Sequence, residues 1–125
     1  MSLQAPHPST PRLLHVAAAA HTLAAVLLVV GRAGYGGRPR GLIGDMADNP
    51  WWALIHLAAA AALLASTHHP DARTWAAWLS AFTMTVWSVL LLWWAANLEP
   101  DGTWLASAYG LIVAAISTTL ATRED

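Results

Sequence analysis

This 125-residue chain contains no cysteine and no lysine, has a single phenylalanine, and carries charge on only 10% of its residues. Without cysteine there is no disulfide, thiolate metal site, thioester or palmitoyl anchor, so order has to come from packing. All positive charge resides on six arginines scattered over the tail and loops, and the formal net charge is −1. No basic stripe exists to follow a phosphate backbone, which argues against a nucleic-acid partner. One tenth charged, against about one quarter in soluble domains, leaves too little polar surface to coat a soluble globule. The long apolar runs also lack Asp, Glu and Arg in their interiors. Coupled transport of protons or cations commonly relies on a buried carboxylate there, so that mechanism is disfavoured.

What the chain does have is apolar length. Hydrophobic residues make up 57% of it and gather into blocks of about 17 to 25, the length that crosses a hydrocarbon core of ~30 Å. The expected fold is all-α: an integral membrane bundle of four antiparallel transmembrane helices, one domain over 1–125, with spans at about 13–30, 51–67, 72–98 and 104–121. Pro6, Pro8 and Pro11 block regular helix in the tail, and the absence of a basic n-region there marks the first span as retained rather than cleaved. The polar loop GRAGYGGRPRGLIGDMADN follows, and Asp48 or Asn49 is expected to cap the second span with Pro50 at its first position. Pro70 stops that span, Asp71 is expected to cap the third, and the turn NLEPDG precedes the fourth. The loop acids Asp45, Asp48, Glu99 and Asp101 read as capping or solvated positions rather than cation ligands.

Trp51, Trp52, Trp75, Trp78, Trp93, Trp94 and Trp104 fall near span ends, where interfacial belts form, while Trp87 lies inside. Small residues recur at helix-contact spacing in Ala77, Ala81 and Thr85 and in the pair Gly110 and Ala114. Orientation is balanced. An inside N-terminus places Arg12, Arg73 and Arg123 in the cytoplasm, and an outside one places Arg32, Arg38 and Arg40 there.

Within the spans the histidines are the ionisable candidates, and intramembrane ionisable groups are functional candidates by default. At ~1.5 Å per residue, His21 and His56 lie about 15 and 9 Å from the first loop, close enough for tilt to join them at a shared haem, metal or proton relay. His15 approaches the level of His68 and His69 at the other end. His15 and His21, six residues apart, differ by about 120° around the helix, which does not suit stacked ligands. No set of three or four converging ligands marks a zinc site. Ser80, Thr83, Thr85 and Ser88 in the third span, with Ser107, Ser117 and Thr118 in the fourth, form polar stripes that could line a pore or bond between helices. These serines have neither a glycine-flanked elbow nor an acidic partner, so no enzyme is expected.

Several segments carry resemblances. The spacing of thirteen between His56 and His69 is similar to that of bis-histidine haem helices in b-type cytochromes. Ala17 and His21, with WWALIHLAAAAALLAST, resemble bacterial antenna helices, which would imply a bound pigment. Length and helix number resemble the small multidrug-resistance transporters, but their first-helix glutamate has no counterpart between Leu13 and Val30. Over its whole length the chain resembles, in general character, the small four-helix membrane proteins encoded by phages of high-GC actinobacteria, several of them called holins. NPWWALIHLAAAAALLAST and YGLIVAAISTTLA carry that likeness, and the short charged end Arg123, Glu124 and Asp125 departs from the longer tails of many holins. The resemblance implies a homo-oligomeric pore or lesion former in the cytoplasmic membrane. An accessory subunit of a larger membrane complex and a haem- or pigment-binding bundle at His21 and His56 are the alternatives.

Overall fold

The computed structural model describes residues 10–34, 49–97 and 103–123. They form four α-helices: α1 (Thr10–Gly34), α2 (Trp51–Ala65), α3 (Arg73–Asn97) and α4 (Thr103–Thr122), with a 3-10 turn at Pro70–Ala72 before α3. Helix α1 begins earlier than the prolines suggest. Pro11 falls in its first turn, where the N–H it lacks has no intrahelical partner in any case. Helix α2 is capped by Asn49, whose Oδ1 accepts from the Trp51 N–H at 3.0 Å. It ends two residues sooner than expected, and the Ser66 and Thr67 hydroxyls donate to the Leu63 and Leu64 carbonyls in its last turn. Asp71 sits inside the 3-10 turn, exposed, rather than at a capping position. The expectations for Pro6, Pro8, Arg38, Arg40, Asp45, Asp48, Glu99 and Asp101 lie outside the described residues, as do the side chains of Trp94 and Trp104.

Helix directions follow from which residues meet. Ser80 of α3 meets Ser117 of α4, and Ser88 further along α3 meets Ser107 nearer the start of α4, so this pair is antiparallel. Two apolar clusters extend the reading to all four helices. One joins Ala24, Ala25 and Leu28 to Ala53, to Met84, Trp87 and Leu91, and to Val113 and Ala114. The other joins Leu14, Ala17 and Ala18 to Ala60 and Leu63, to Ala76 and Ala77, and to Leu120 and Ala121. Residue numbers fall from the first cluster to the second in α1 and α3 and rise in α2 and α4. The bundle therefore runs up, down, up, down. The closest packing is α3 on α4 and α1 on α2, so α1 and α3 face each other across the axis.

Alanine dominates the inward seams because small side chains let backbones approach, and in lipid the association of helices rests on such contact rather than on hydrophobic burial. Ala77, Ala81, Gly110 and Ala114 all lie on these seams, whereas Thr85 turns outward and bonds its own helix at Ala81. The outer surface is apolar on every helix: Val16, Leu23, Leu54, Phe82, Val89 and Ile112 are exposed. Three helices, α1, α3 and α4, are long and apolar enough to cross a membrane, while α2 with 15 residues is shorter. Exposed Trp75 and Trp93 are eighteen residues apart on α3, about 27 Å at ~1.5 Å per residue, which is close to the hydrocarbon thickness.

Tyr109 ties α4 to α1 through its hydroxyl, which donates to the Ala20 carbonyl at 2.6 Å. A Tyr109→Phe variant keeps the ring and loses the bond. It is expected to lower stability by about 0.5–1.5 kcal/mol in a denaturant titration in detergent; an unchanged midpoint would show the bond to be energetically silent.

Candidate functional site

Between the two apolar clusters, each helix contributes one polar residue to a single layer. His21 lies between Ala18 and Ala24, His56 between Ala53 and Ala60, Ser80 between Ala77 and Met84, and Ser117 between Ala114 and Leu120. Each sits three or four residues from its apolar neighbours, one helical turn away on the same face. All four side chains have zero exposure. The layer is one continuous chain of hydrogen bonds: His56 Nδ1 to His21 Nδ1 at 2.8 Å, His21 Nε2 to Ser80 Oγ at 2.7 Å, and Ser80 Oγ to Ser117 Oγ at 2.6 Å. It visits α2, α1, α3 and α4 in turn and crosses the axis between His21 and Ser80.

The chemistry of this chain is constrained by its first link. Two imidazole Nδ1 atoms can share only one hydrogen, so one ring is the Nδ1–H tautomer and the other accepts. If His21 donates, its Nε2 accepts from Ser80, and His56 carries its hydrogen on Nε2. If His56 donates, His21 Nε2–H donates to Ser80, Ser80 donates to Ser117, and His56 Nε2 is a bare lone pair. The His56 Nε2 atom is buried and has no hydrogen-bond partner in either case. Trp87 packs its ring edge-on against His56, with centroids 4.9 Å apart, and Trp52 lies beyond at 6.2 Å.

A haem or metal shared axially by His21 and His56 would hold the two nitrogens about 4 Å apart, twice a typical metal–nitrogen bond of ~2 Å. Here they bond each other directly. His15, by contrast, is exposed and donates through Nδ1 to the Pro11 carbonyl of its own helix, and His68 and His69 are exposed in the connection after α2. No group of three or more His, Asp or Glu that could hold a metal ion occurs among the described residues.

The hydroxyl stripes divide. Ser80, Thr83, Ser88, Ser107 and Ser117 are buried and face the bundle interior. Thr85 and Thr118 face outward, each donating to the carbonyl four residues back in its own helix. Ser107 donates across to the Ser88 carbonyl at 2.8 Å. Ser88 Oγ itself has no partner and lies where a side chain on Gly110 would have to go. Trp51, Trp75, Trp78 and Trp93 are exposed near helix ends and Trp52 is half-buried.

The sequence brought His21 and His56 together but did not join them to Ser80 and Ser117, and Tyr109 carried no signal of its own. For the layer a signal was present: each of the four residues interrupts a run of small or apolar residues at three- or four-residue spacing. Compared with known protein families, curated proteins and solved structures, the chain matches none.

Proposed function

We propose that all four helices cross a membrane and that the chain acts on the membrane itself, as a holin-like pore or lesion former of the cytoplasmic membrane. The observation that carries this reading is the inversion of polarity. Four buried polar side chains meet at the axis and bond one another, and large apolar side chains are exposed on every helix. Among the described residues such a body offers little aqueous working surface, and its polar lining is already folded inside.

The short helix α2 belongs among the spans for a topological reason. Helices α1 and α3 run in the same direction, so a chain leaving α1 on one side has to return before α3 begins, and α2 is the return. At 15 residues it measures about 22 Å, and exposed Trp51 at its first position suits an interfacial start, with local thinning or snorkelling taking up the rest. Self-association through the apolar outer faces would bring the interiors of several bundles into reach of water, after which Ser80, Thr83, Ser88, Ser107 and Ser117 would line the opening.

Expression in a bacterial cytoplasmic membrane is expected to end in abrupt depolarisation after a delay, followed with a potential-sensitive dye and by growth. A stable potential with normal growth would remove this reading. The accessory subunit would then lead, and an observation favours it: an open apolar groove of about 240 Å³ between α1 and α2, lined by Ala25, Val26, Val29, Val30, Ala53 and Leu57, which suits a neighbouring helix or acyl chain. A haem- or pigment-binding bundle is the third reading, and it draws less support because His21 and His56 engage each other; an absorption spectrum of the purified protein tests it.

A further inference from the structure

The layer of His21, His56, Ser80 and Ser117 serves either as a path for protons or as a fastening between helices, and its placement decides between these. A path would have to run along the bundle axis. The layer instead runs across it, and Leu14, Leu63 and Leu120 close it on one side while Met84, Trp87 and Leu91 close it on the other. It joins all four helices at one level and leads nowhere.

We propose that the His21–His56 pair is a proton-operated latch: neutral, it holds the bundle shut, and proton uptake by the two rings releases α2 from α1 and opens the interior. The reading rests on the membrane-permeation proposal for its consequence but not for its own operation. At 2.8 Å, the Nδ1 atoms have room for one hydrogen between them. A second would set N–H against N–H and break the bond. A single added proton leaves a cation that no carboxylate among the described residues neutralises, since the described groups facing the pair are Trp87 and Ser80 from α3, Ser117 through Ser80 from α4, Trp52 from α2 itself, and Tyr109, whose hydroxyl is spent on the carbonyl next to His21. The acid among the described residues, Asp71, is exposed in the connection before α3, and Arg73 adds only positive charge. The charged pair is therefore accommodated by the state that admits water.

The sign follows from proton counting. The open state binds more protons than the closed one, so lowering the pH favours opening, through the range near about 6.5 where a hydrated imidazole titrates. Brief openings let protons in, and protonation then holds the open form, so the sealed position of the layer sets the delay rather than preventing the switch.

The absence of cysteine makes a clean test available. Two introduced cysteines, Val26→Cys on α1 and Leu54→Cys on α2, are both at exposed positions and carry spin labels on the full chain in phosphatidylglycerol and phosphatidylethanolamine vesicles. The distance between them is expected to lengthen and broaden on going from about pH 7.5 to about pH 5 and to recover on return. The pair His21→Gln/His56→Gln, which keeps neutral hydrogen-bonding groups and takes no proton at either position, is expected to stay closed at both pH values. His15→Gln, on the outer face, is expected to behave as wild type. Equal distances at both pH values in the wild type, or full widening in the paired glutamine variant, overturn the latch. Release of entrapped sulforhodamine B, recorded in parallel, is expected to be at least about fivefold faster at the lower pH. Widening without release would leave the latch standing and remove the permeation reading instead.

Discussion

Replacing His21 by alanine is expected to lower the stability of the bundle by about 2–4 kcal/mol, read from denaturant or thermal unfolding in detergent. His21 is the imidazole of the polar layer with a partner on each side, His56 Nδ1 at 2.8 Å and Ser80 Oγ at 2.7 Å. Interhelical hydrogen bonds in membrane bundles contribute on average ~0.6 and at most ~1.7 kcal/mol each, so the two bonds account for only part of the loss. The remainder comes from the cavity left by a fully buried ring and from stranding the His56 nitrogen in an apolar layer.

That division makes a second, sharper expectation. A His21→Leu/His56→Leu pair removes both partners together, leaves Ser80 bonded to Ser117, and fills the space with apolar atoms. It is expected to be less damaging than either single substitution. Additive losses in the pair would mean that the rings stabilise by packing and not by pairing. The same pair, having no titratable ring in the layer, would also lack any acid-induced opening.

Gly110→Ala is expected to destabilise by about 1–3 kcal/mol, against a gain of roughly 0.5–1 kcal/mol that alanine brings to a helix interior. The reason is the closeness of α3 and α4. A methyl group at Gly110 collides with Ser88 Oγ and also stands 3.3 Å from Ser88 Cβ and 3.4 Å from the Met84 carbonyl oxygen. Ser88 Oγ has no hydrogen-bond partner to lose, so Ser88→Ala alone is expected to be close to neutral. Combined with Gly110→Ala it should restore stability to within about 0.5 kcal/mol of wild type, because the propensity gain then acts without the collision. If the double variant remains as unstable as Gly110→Ala alone, the backbone contact to Met84 and not the hydroxyl sets the packing distance. Since α3 on α4 is the most extensive helix pair, its loosening is also expected to show as earlier depolarisation on expression.

The likeness of α1 and α4 to spans was plain in the sequence because their apolar runs contain no Asp, Glu, Lys or Arg, and the tryptophans at Trp75 and Trp93 mark the ends of α3 independently of hydropathy. Helix starts were less legible. Pro11 reads as a breaker until it is placed in a first turn, and Asp71 reads as a cap until Pro70 pulls it into a 3-10 turn. The serines were legible as polar residues in apolar surroundings. That Thr85 and Thr118 face out while Ser80, Ser88, Ser107 and Ser117 face in was not, since a stripe on one helix has no inside until its neighbours are positioned.

Composition and periodicity by themselves determined that this chain is helical, that most of its helices are long enough to span a bilayer, and that its association must rest on small residues and a few polar groups. These are local properties, set by side-chain volume, hydropathy and the 3.6-residue repeat. Only the tertiary structure decided that His21 meets His56 rather than His15 meeting His68, and that Ser80 and Ser117 complete the layer. Registers between helices joined by loops of different length depend on how far each helix extends and tilts. A shift of one residue along a helix turns a side chain by about 100°, enough to carry a histidine from the axis of the bundle to its outer face.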